Sequence, residues 1–406
     1  MLEYSYFLFL QLLSKLGKFF IEILPSFLLS SFDYGNFAYY YSLIIILSSL
    51  SVMGLHISLL RLVPEKKYKN LFFIVGDIQL VAFFLLLFIL LFIVNDFNFY
   101  VYILILIFSI SILQAYSTFF RTSHQIKKWF LYRETLFPLL VLVVLFLFYL
   151  FNIKLSLYTL FFILSLLSVI SVILLFIHLY KFFKVKLFSI RNPFSKETIE
   201  VLKISIPMFF TGFTYLLLSR LDVLMLNYYI NKEELGGYNI ISRIAFQVLI
   251  LWQVVSAYYM PKIAKKFVEN NETQIILLHK KYLLLSIIST FFISIILVCG
   301  INFFPIHDYI LIWNDKLKIT MYIILIGQFI SVFFSGYGYF ILYIHKEKLA
   351  YLNSIFMLII AIITNLIFIP LYGINGAALA TALTIFFTKI LEISEIYYYK
   401  KTIYLR

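Results

Sequence analysis

Charged residues are scarce in this 406-residue chain, since Asp, Glu, Lys and Arg together make up 13% of it. Soluble globular proteins carry about 25% charged and about 45–50% apolar residues. Here 63% of the residues are hydrophobic, so a water-soluble globular fold and a disordered polar chain are both excluded. The chain instead consists mostly of long apolar runs, which indicates a membrane protein.

Cysteine and the usual catalytic motifs are lacking as well. The single cysteine, Cys299, has no partner for an intramolecular disulfide, and its place in an apolar run predicts a buried structural thiol. The sequence has no metal-ligand cluster, no nucleophile elbow and no glycine-rich phosphate loop. We therefore expect no catalytic residue, no metal and no cofactor, and we do not expect an enzyme.

Apolar runs of 17 or more residues divide the chain into twelve predicted membrane spans. A helical span needs about 20 apolar residues, so a chain of this length has room for about twelve spans and short loops. The runs are continuous rather than alternating, which predicts helices and not the strands of a barrel. The predicted spans are Tyr6–Ser30, Asn36–Val63, Leu71–Val94, Phe99–Phe120, Thr135–Phe151, Ser156–Leu179, Ile204–Tyr229, Gly236–Met260, Leu283–Phe304, Leu317–Tyr343, Ala350–Ile369 and Ala377–Tyr398.

Basic residues outnumber acidic ones by 33 to 19, a formal net charge of +14, and their positions orient the spans. With the amino terminus inside, 24 Lys and Arg residues lie in cytoplasmic loops and tails, 4 lie on the opposite side and 5 lie within spans. Short loops rich in Lys and Arg stay in the cytoplasm. We therefore predict a multi-pass protein with both termini in the cytoplasm, whose bulk charge marks orientation rather than nucleic-acid binding.

The chain also divides into two similar halves. The most basic cytoplasmic connection, Tyr180–Lys203, separates six spans from six, so both halves have the same orientation. The matching positions are Asp33-Tyr34-Gly35-Asn36-Phe37 with Pro64-Glu65 in the first half, and Glu234-Leu235-Gly236-Gly237-Tyr238 with Pro261-Lys262 in the second. We predict an all-α membrane protein of two six-helix lobes, residues 1–190 and 191–406, around a central cavity.

Ionisable residues within the spans are the candidates for function. Each costs roughly 2.5–3.5 kcal/mol at the bilayer centre, so it usually faces a cavity or a partner. On span one, Gln11, Lys15, Lys18 and Glu22 are spaced 4, 3 and 4 residues apart and share one helical face near the middle of the bilayer. Two interpretations stay open: this face lines a transport pathway, or Lys18 and Glu22 form a packing ion pair.

Further charges lie on spans seven and eight. Arg220 and Asp222 are two residues apart and cannot face each other on one helix, so each needs another partner. Arg243 lies two turns into span eight. Together with span one, these groups leave a net +2 near the midplane, which favours an anionic cargo because desolvated Arg and Lys bind phosphate well. Spans four, five, six, nine, ten and eleven are predicted to carry no charge between their edges.

Weaker features have structural interpretations. Lys389, Glu392 and Glu395, near the inner end of span twelve, are predicted to neutralise one another. His56 is predicted to be a satisfied packing residue, and Pro25 is predicted to bend span one. Gly327, Gly336 and Gly338 are predicted to loosen span ten or to serve helix packing.

Several segments, taken in order along the chain, form a pattern that matches a known family. They are Tyr34-Gly35 through Gly54-Leu55, Arg61-Leu62-Val63-Pro64-Glu65, Ile206-Pro207, Ser219-Arg220-Leu221-Asp222-Val223-Leu224-Met225-Leu226, Glu234-Leu235-Gly236-Gly237-Tyr238, Tyr259-Met260-Pro261-Lys262-Ile263-Ala264 and Asn365-Leu366-Ile367-Phe368-Ile369-Pro370-Leu371-Tyr372-Gly373-Ile374-Asn375-Gly376-Ala377-Ala378. Together these segments resemble the O-antigen, or Wzx-type, polysaccharide flippases of the multidrug, oligosaccharidyl-lipid and polysaccharide exporter superfamily.

The resemblance implies alternating access between two lobes, with a cationic central cavity lined mainly by spans one, two, seven and eight. It implies an undecaprenyl diphosphate-linked oligosaccharide as cargo, moved from the inner to the outer leaflet of a bacterial inner membrane during O-antigen or lipopolysaccharide synthesis. The residues expected to bind the diphosphate are Lys15, Lys18, Arg220 and Arg243. Glu22 and Asp222 either take part in coupling to H+ or Na+ or tune the basic groups. Membrane lipids are the other expected partners, and no nucleic acid is expected.

Two other functions were compatible with parts of this pattern. A small-molecule or multidrug exporter of the same fold would be favoured by an acidic cavity, which the net +2 does not provide. A membrane-embedded polysaccharide polymerase generally needs a sizeable external loop, whereas the longest predicted outer loop, Pro305–Lys316, has 12 residues. A purely structural membrane protein would not need charges at mid-bilayer depth.

Overall fold

The structure, a computed structural model, describes residues 2–65, 68–91, 97–184, 195–303, 315–343 and 347–399. The described part of the chain is built from helices, with no strand. Most of the predicted outer loop Pro305–Lys316, the middle of the connection Tyr180–Lys203 with the predicted lobe boundary, and the side chain of Gln11 lie outside the described residues.

The chain packs as two compact units, Met1–Leu217 and Leu218–Arg406. In the first unit the chain forms a series of membrane-length helices joined by short ones, and a π-helical turn, Leu131–Thr135, precedes α9. The helices of this unit are α1 (Leu2–Ile23), α2 (Pro25–Leu28), α3 (Ser31–Val52), α4 (Leu55–Glu65), α5 (Tyr68–Leu91), α6 (Phe97–Tyr116), α7 (Thr118–Thr122), α8 (Ile126–Phe130), α9 (Leu136–Leu150) and α10 (Leu157–Phe183).

Helix α11 (Lys196–Leu226) begins in the first unit and ends in the second. The second unit then continues with a 3₁₀ turn, Gln247–Leu249, between its first two helices. Its helices are α12 (Lys232–Phe246), α13 (Ile250–Val268), α14 (Glu272–Phe303), α15 (Asp315–Phe333), α16 (Tyr337–Tyr343), α17 (Glu347–Tyr372) and α18 (Ile374–Tyr399).

Ten helical segments of the described chain are long and apolar enough to cross a membrane, and they correspond to predicted spans two to six and eight to twelve. The helices of the other two predicted spans, α1 and α11, have 22 and 31 residues, or about 33 and 46 Å at 1.5 Å per residue. Both have the length to cross the hydrocarbon core, but both carry ionisable residues. The prediction of an all-α polytopic membrane protein is confirmed.

Helix α3 of the first unit and helix α12 of the second begin in the same way. The Ser30 hydroxyl accepts a hydrogen bond from the backbone N–H of Asp33 at 3.1 Å, and the Asn231 side chain accepts one from Glu234 N–H at 2.8 Å. Such N-caps satisfy backbone donors that a helix start leaves unpaired. Tyr34, one residue further along, is fully buried and donates its hydroxyl to the backbone carbonyl of Glu22 at 2.7 Å. This bond fixes the start of α3 against α1.

Predicted span two is not one continuous helix. It breaks at Met53 and Gly54, which have φ angles of 45° and 74°. The break brings the α3–α4 junction against the backbone of α11, where a Cβ on Gly54 would lie 2.4 Å from the Ser205 carbonyl oxygen. The hydroxyls of Ser58 and Ser205 are 2.6 Å apart beside it. Only glycine fits this contact, because it tolerates positive φ and has no Cβ.

Two other predicted irregularities are present in the helices. Helix α1 ends at Ile23, and α2 starts with Pro25 in its first turn, where a proline costs no backbone hydrogen bond. In span ten, α15 gives way to α16 at Gly336, whose φ is 103°. Span one is thus interrupted just before Pro25, and span ten is interrupted at Gly336, whereas Gly327 lies within the continuous helix α15.

The membrane helices differ widely in how much of their surface the protein covers. In the segment Phe99–Thr122, 67% of the most apolar stretch is buried, whereas in Glu272–Gly300 only 11% is. Cys299 lies on this weakly covered helix, α14, and is exposed. The prediction of a buried thiol is therefore wrong, because an apolar run in a membrane helix is as compatible with contact to lipid as with burial in protein.

Candidate functional site

Helix α1 presents its lysines away from the protein interior. Lys15 is exposed, and the Lys18 side chain is 52% exposed although it lies well inside the helix. Glu22, one turn further along, is buried. Lysines at this depth are stable only where water or an anionic partner reaches them.

The anionic partner of Lys18 is Glu134, which lies outside α1. The Lys18 ammonium forms an ion pair with Glu134 Oε2, and the other carboxylate oxygen of Glu134 accepts a hydrogen bond from Arg133 Nε at 2.9 Å. The Glu134 side chain is 24% exposed. One carboxylate thus holds two cations, one on each of its oxygens. Of the two interpretations open for Lys18, the packing ion pair with Glu22 is not the contact that we observe.

The same face of α1 packs tightly against the segment that carries Glu134. The Ser14 hydroxyl donates to the backbone carbonyl of Glu134 at 2.8 Å. One turn later, Gly17 lies so close to α9 that a Cβ would be 2.9 Å from the Cβ of Pro138. Ser14, Gly17 and Lys18 are three and four residues apart, so they line one side of the helix. The ion pair is therefore held between two fixed backbones.

Glu134 and Arg133 were not predicted as site residues, because span five was expected to begin at Thr135. The candidate membrane segment instead runs from Ile126 to Leu150, and Glu134 lies 16 residues before its end, about 24 Å at 1.5 Å per residue. The predicted range Thr135–Phe151 contains no charge, but the helical segment starts nine residues earlier and includes Arg133 and Glu134. The adjacent opposite charges Arg133-Glu134 beside an apolar run were the available signal.

The π-helical turn that contains these two residues lies beside a cationic and aromatic cluster. The Arg121 guanidinium carbon is 4.6 Å from the Trp129 ring centre, and that of Arg133 is 5.8 Å from the same ring. These are cation–π distances. π-Helical turns are rare and are frequently found at functional sites.

His56 on α4 lies within electrostatic range of Arg121, Arg133 and Glu134. Its Nδ1 is buried and has no hydrogen-bond partner among the described residues. The prediction of a satisfied packing histidine is therefore wrong for this nitrogen.

The second unit contains a separate polar cluster around Asp222. Asp222 is 4% exposed, and its Oδ2 accepts a 2.5 Å hydrogen bond from the hydroxyl of Tyr238, which is completely buried. The Tyr238 hydroxyl also hydrogen-bonds with the side chain of Thr381 on α18. Asp222 Oδ1 accepts from the backbone N–H of Val223 at 2.8 Å. Distances of 2.5–2.7 Å are typical of hydroxyls that donate to an anion.

The two predicted arginines of this unit are half-buried. Arg220 lies on α11, two residues before Asp222, and Ser219 beside it is exposed. Arg243 on α12 donates from Nε to the Asn239 side-chain oxygen at 3.3 Å, and Gln247 donates to the Arg243 backbone carbonyl at 3.0 Å. The Arg243 charge acts on Tyr238, so Arg243 belongs to the Asp222 cluster.

Two of the three charges on span twelve pair as predicted, since Lys389 Nζ lies 2.7 Å from Glu392 Oε2. Glu395 instead accepts a hydrogen bond from the Asn353 side chain at 2.7 Å, so its partner is a neutral amide on α17. The candidate site residues thus fall into a group on α1 in the first unit and a group on α11 and α12 in the second. Within the described ranges, no group of three or more His, Cys, Asp or Glu side chains is placed to hold a metal ion.

Solved structures with the same fold are membrane transporters. The chain is similar to the lipid II flippase MurJ in an inward closed conformation, with a TM-score of 0.71 and 16% identity over 97% of this chain and 87% of that one. It is similar to an inward-facing multidrug resistance MATE family transporter, with a TM-score of 0.63 and 15% identity over 96% of both chains. A MOP superfamily transporter from Pyrococcus furiosus gives 0.55 and 14% over 98% and 94%. The chain therefore shares the fold of these transporters.

Sequence comparison identifies the family within this class. The model of the family described as polysaccharide biosynthesis protein matches residues 3–267, well over half of the chain. The chain belongs to this family, as the resemblance predicted. It is also 27% identical over 204 residues to an uncharacterized membrane protein of Methanocaldococcus jannaschii. That match spans 48% of this chain and 45% of the relative, less than half the length of either.

Proposed function

We propose that this protein is a flippase that moves undecaprenyl diphosphate-linked oligosaccharide repeat units from the inner to the outer leaflet of a bacterial inner membrane by alternating access. The amino and carboxyl termini would lie in the cytoplasm, and lobes near residues 1–190 and 191–406 would alternate in exposing the cargo. Membership of the polysaccharide biosynthesis family and the transporter fold support this class of function.

One observation supports a cargo with an anionic lipid head. Lys15 and Lys18 are exposed at positions inside a membrane-length helix, where hydrocarbon would exclude them. A diphosphate head that passes through the membrane needs such cations, and its sugars need water. Arg220 and Arg243 would supply the second half of the binding site. Glu22 and Asp222 would tune these groups or take part in coupling to H+ or Na+.

The function is tested by deleting the gene and analysing the lipid-linked glycans of the cells. We expect undecaprenyl-linked repeat units to accumulate on the inner leaflet and surface polysaccharide to fall, with both restored by the wild-type gene. A deletion strain with unchanged surface polysaccharide and no trapped repeat units would contradict the proposal.

The site is tested in the same strain with Lys18→Ala, Arg220→Ala and the double variant. Each single variant should lower export about tenfold, because losing one strong charged contact to phosphate costs about 1.4 kcal/mol or more. Lys265→Ala is the matched control, since it removes the same charge from an exposed position on α13. Full export by both single variants and the double variant, at normal membrane levels, would refute the site assignment.

A further inference from the structure

We infer that Glu134 is a built-in counter-ion that occupies the phosphate-binding position between Lys18 and Arg133 when no cargo is bound. The inference rests on the proposed function and adds Arg133 and Glu134 to it. In this account the diphosphate head displaces the Glu134 carboxylate from the two cations, and the carboxylate returns when the cargo leaves.

The geometry of Glu134 is that of a bound anion. Its two oxygens are divided between two cations, with Lys18 on Oε2 and Arg133 on Oε1. A phosphate group presents oxygens in the same way, and Lys and Arg are the side chains that proteins use to bind it. Lys18 and Arg133 come from different helices, so their convergence is a property of the fold and not of one amphipathic segment.

The cations keep donors for a larger ligand. An ammonium has three N–H donors and a guanidinium has five, and the contacts to Glu134 given above use one of each. The Lys18 side chain is 52% exposed, so a ligand can reach it. A carboxylate carries one negative charge, whereas a diphosphate carries more, so a diphosphate has the electrostatic advantage in a competition for the same two cations.

The surroundings hold the cations in place while the occupant changes. Arg133 is also placed 5.8 Å from the Trp129 ring centre, a contact that does not depend on Glu134. The α1 backbone is fixed by the bond from Ser14 and by the Gly17 contact with Pro138. The site can therefore lose the carboxylate without losing its shape.

The Glu134 carboxylate would offset two costs of a cationic site for a strongly charged lipid, one in the empty protein and one at release of the cargo. Two unpaired cations at bilayer depth would be costly in the empty protein, and they would hold a diphosphate too tightly to release it. An internal anion stabilises the empty site and competes with the cargo at release. Glu134 thus sets the affinity of the site, and we expect its removal to strengthen binding while slowing transport.

The test measures binding of inorganic pyrophosphate to the purified full-length protein in lipid nanodiscs by calorimetry. Glu134→Gln should bind pyrophosphate about tenfold more tightly than wild type, which corresponds to about 1.4 kcal/mol. Lys18→Gln should weaken binding, and Lys18→Gln/Glu134→Gln should lose most of the gain because the released cation is absent. Glu134→Asp, which keeps the charge on a side chain one methylene shorter and so should contact the two cations less well, should show an intermediate gain.

The control is Glu269→Gln, which also breaks a Lys–Glu ion pair, the one with Lys266 at 2.6 Å on a surface turn. It should leave pyrophosphate binding unchanged. If neither Glu134→Gln nor Glu134→Asp binds more tightly than wild type, the inference is overturned. It is also overturned if the gain of Glu134→Gln persists in full without Lys18. Should Glu134→Gln fail to fold, as judged by thermal unfolding, Glu134→Asp decides.

Export in the deletion strain separates this inference from the proposed function. Glu134→Gln should lower glycan export although it binds pyrophosphate more tightly, whereas Lys18→Ala should lower both. If Glu134→Gln binds pyrophosphate more tightly but the deletion strain traps no lipid-linked glycan, the counter-ion inference is supported and the proposed flippase function is refuted. If glycan accumulates in the deletion strain but the pyrophosphate affinity of Glu134→Gln is unchanged, the flippase function is supported and the counter-ion inference is refuted.

Discussion

Replacing Tyr238 by Phe should destabilise the protein more than the same replacement at Tyr34. Both tyrosines are fully buried, Tyr34 near the start of α3 and Tyr238 in α12, and each donates a hydrogen bond to the preceding long helix, α1 or α11. The acceptors differ: Tyr34 donates to the backbone carbonyl of Glu22, whereas Tyr238 donates to the side-chain carboxylate of Asp222. The pair therefore compares a charged with a neutral acceptor, although the Tyr238 hydroxyl has a second hydrogen bond, with Thr381.

The magnitudes follow from the two acceptors. A neutral hydrogen bond inside a membrane protein contributes about 0.6 kcal/mol on average, so Tyr34→Phe should cost about that much. Hydrogen bonds to charged groups contribute about 1.5–3 kcal/mol, so Tyr238→Phe should cost about 1–2 kcal/mol more than Tyr34→Phe. Asp222 would keep its 2.8 Å bond from Val223 N–H, which limits the loss.

A double-mutant cycle with Asp222→Asn checks the reasoning. In that background the acceptor is a neutral amide, so Tyr238→Phe should again cost only about 0.6 kcal/mol. Stability is measured by unfolding of the purified protein in detergent, followed by fluorescence. The reasoning would be refuted if Tyr238→Phe cost no more than Tyr34→Phe, or if its cost were the same with Asp222 and with Asn at this position.

Two further predictions concern a close helix contact and a buried hydrogen bond. Gly17→Ala should destabilise the protein by about 1–3 kcal/mol, because the new methyl group would lie 2.9 Å from Pro138 Cβ, whereas Gly212→Ala, which meets nothing within 4 Å, should stabilise it by about 0.5–1 kcal/mol. Thermal unfolding measures both, and shifts of the same sign would contradict the proposed contact. Trp252→Phe should cost about 0.5–1.5 kcal/mol, since Trp252 Nε1 donates to the buried Tyr282 hydroxyl at 2.8 Å. An unchanged unfolding midpoint would show that this bond has no net effect.

Hydrophobicity alone predicted the positions of the membrane helices well, because a span is a continuous apolar run and needs no long-range information. The breaks within the helices were harder to predict from the sequence. The break at Met53 and Gly54 exists because α11 needs room for the Ser205 backbone, and that neighbour is about 150 residues away in the sequence. A glycine within an apolar run indicates such a contact but does not say what it touches.

The sequence predicted the charged residues of the polar sites but not the residues they pair with. Lys18 and Asp222 stood out because charges are costly at bilayer depth. Their partners, Glu134 and Tyr238, lie on other helices, and side-chain pairing between helices cannot be derived from spacing along one helix. Glu134 was not predicted for a further reason. Two adjacent charges, Arg133 and Glu134, are typical of a loop, so span five was predicted to begin after them.

The uneven coverage of the membrane helices has a consequence for how this sequence can change. Along α14 only 11% of the residues in the apolar stretch are buried by protein, so we expect most of its side chains to meet lipid, which accepts any apolar shape. Exchanges among Leu, Ile, Val and Phe should therefore be nearly neutral there, and the helix should diverge quickly among relatives while staying apolar. In α6 the covered share is 67%, and each side chain must fit its neighbours. Relatives should thus preserve the shapes of α6 and only the hydrophobicity of α14.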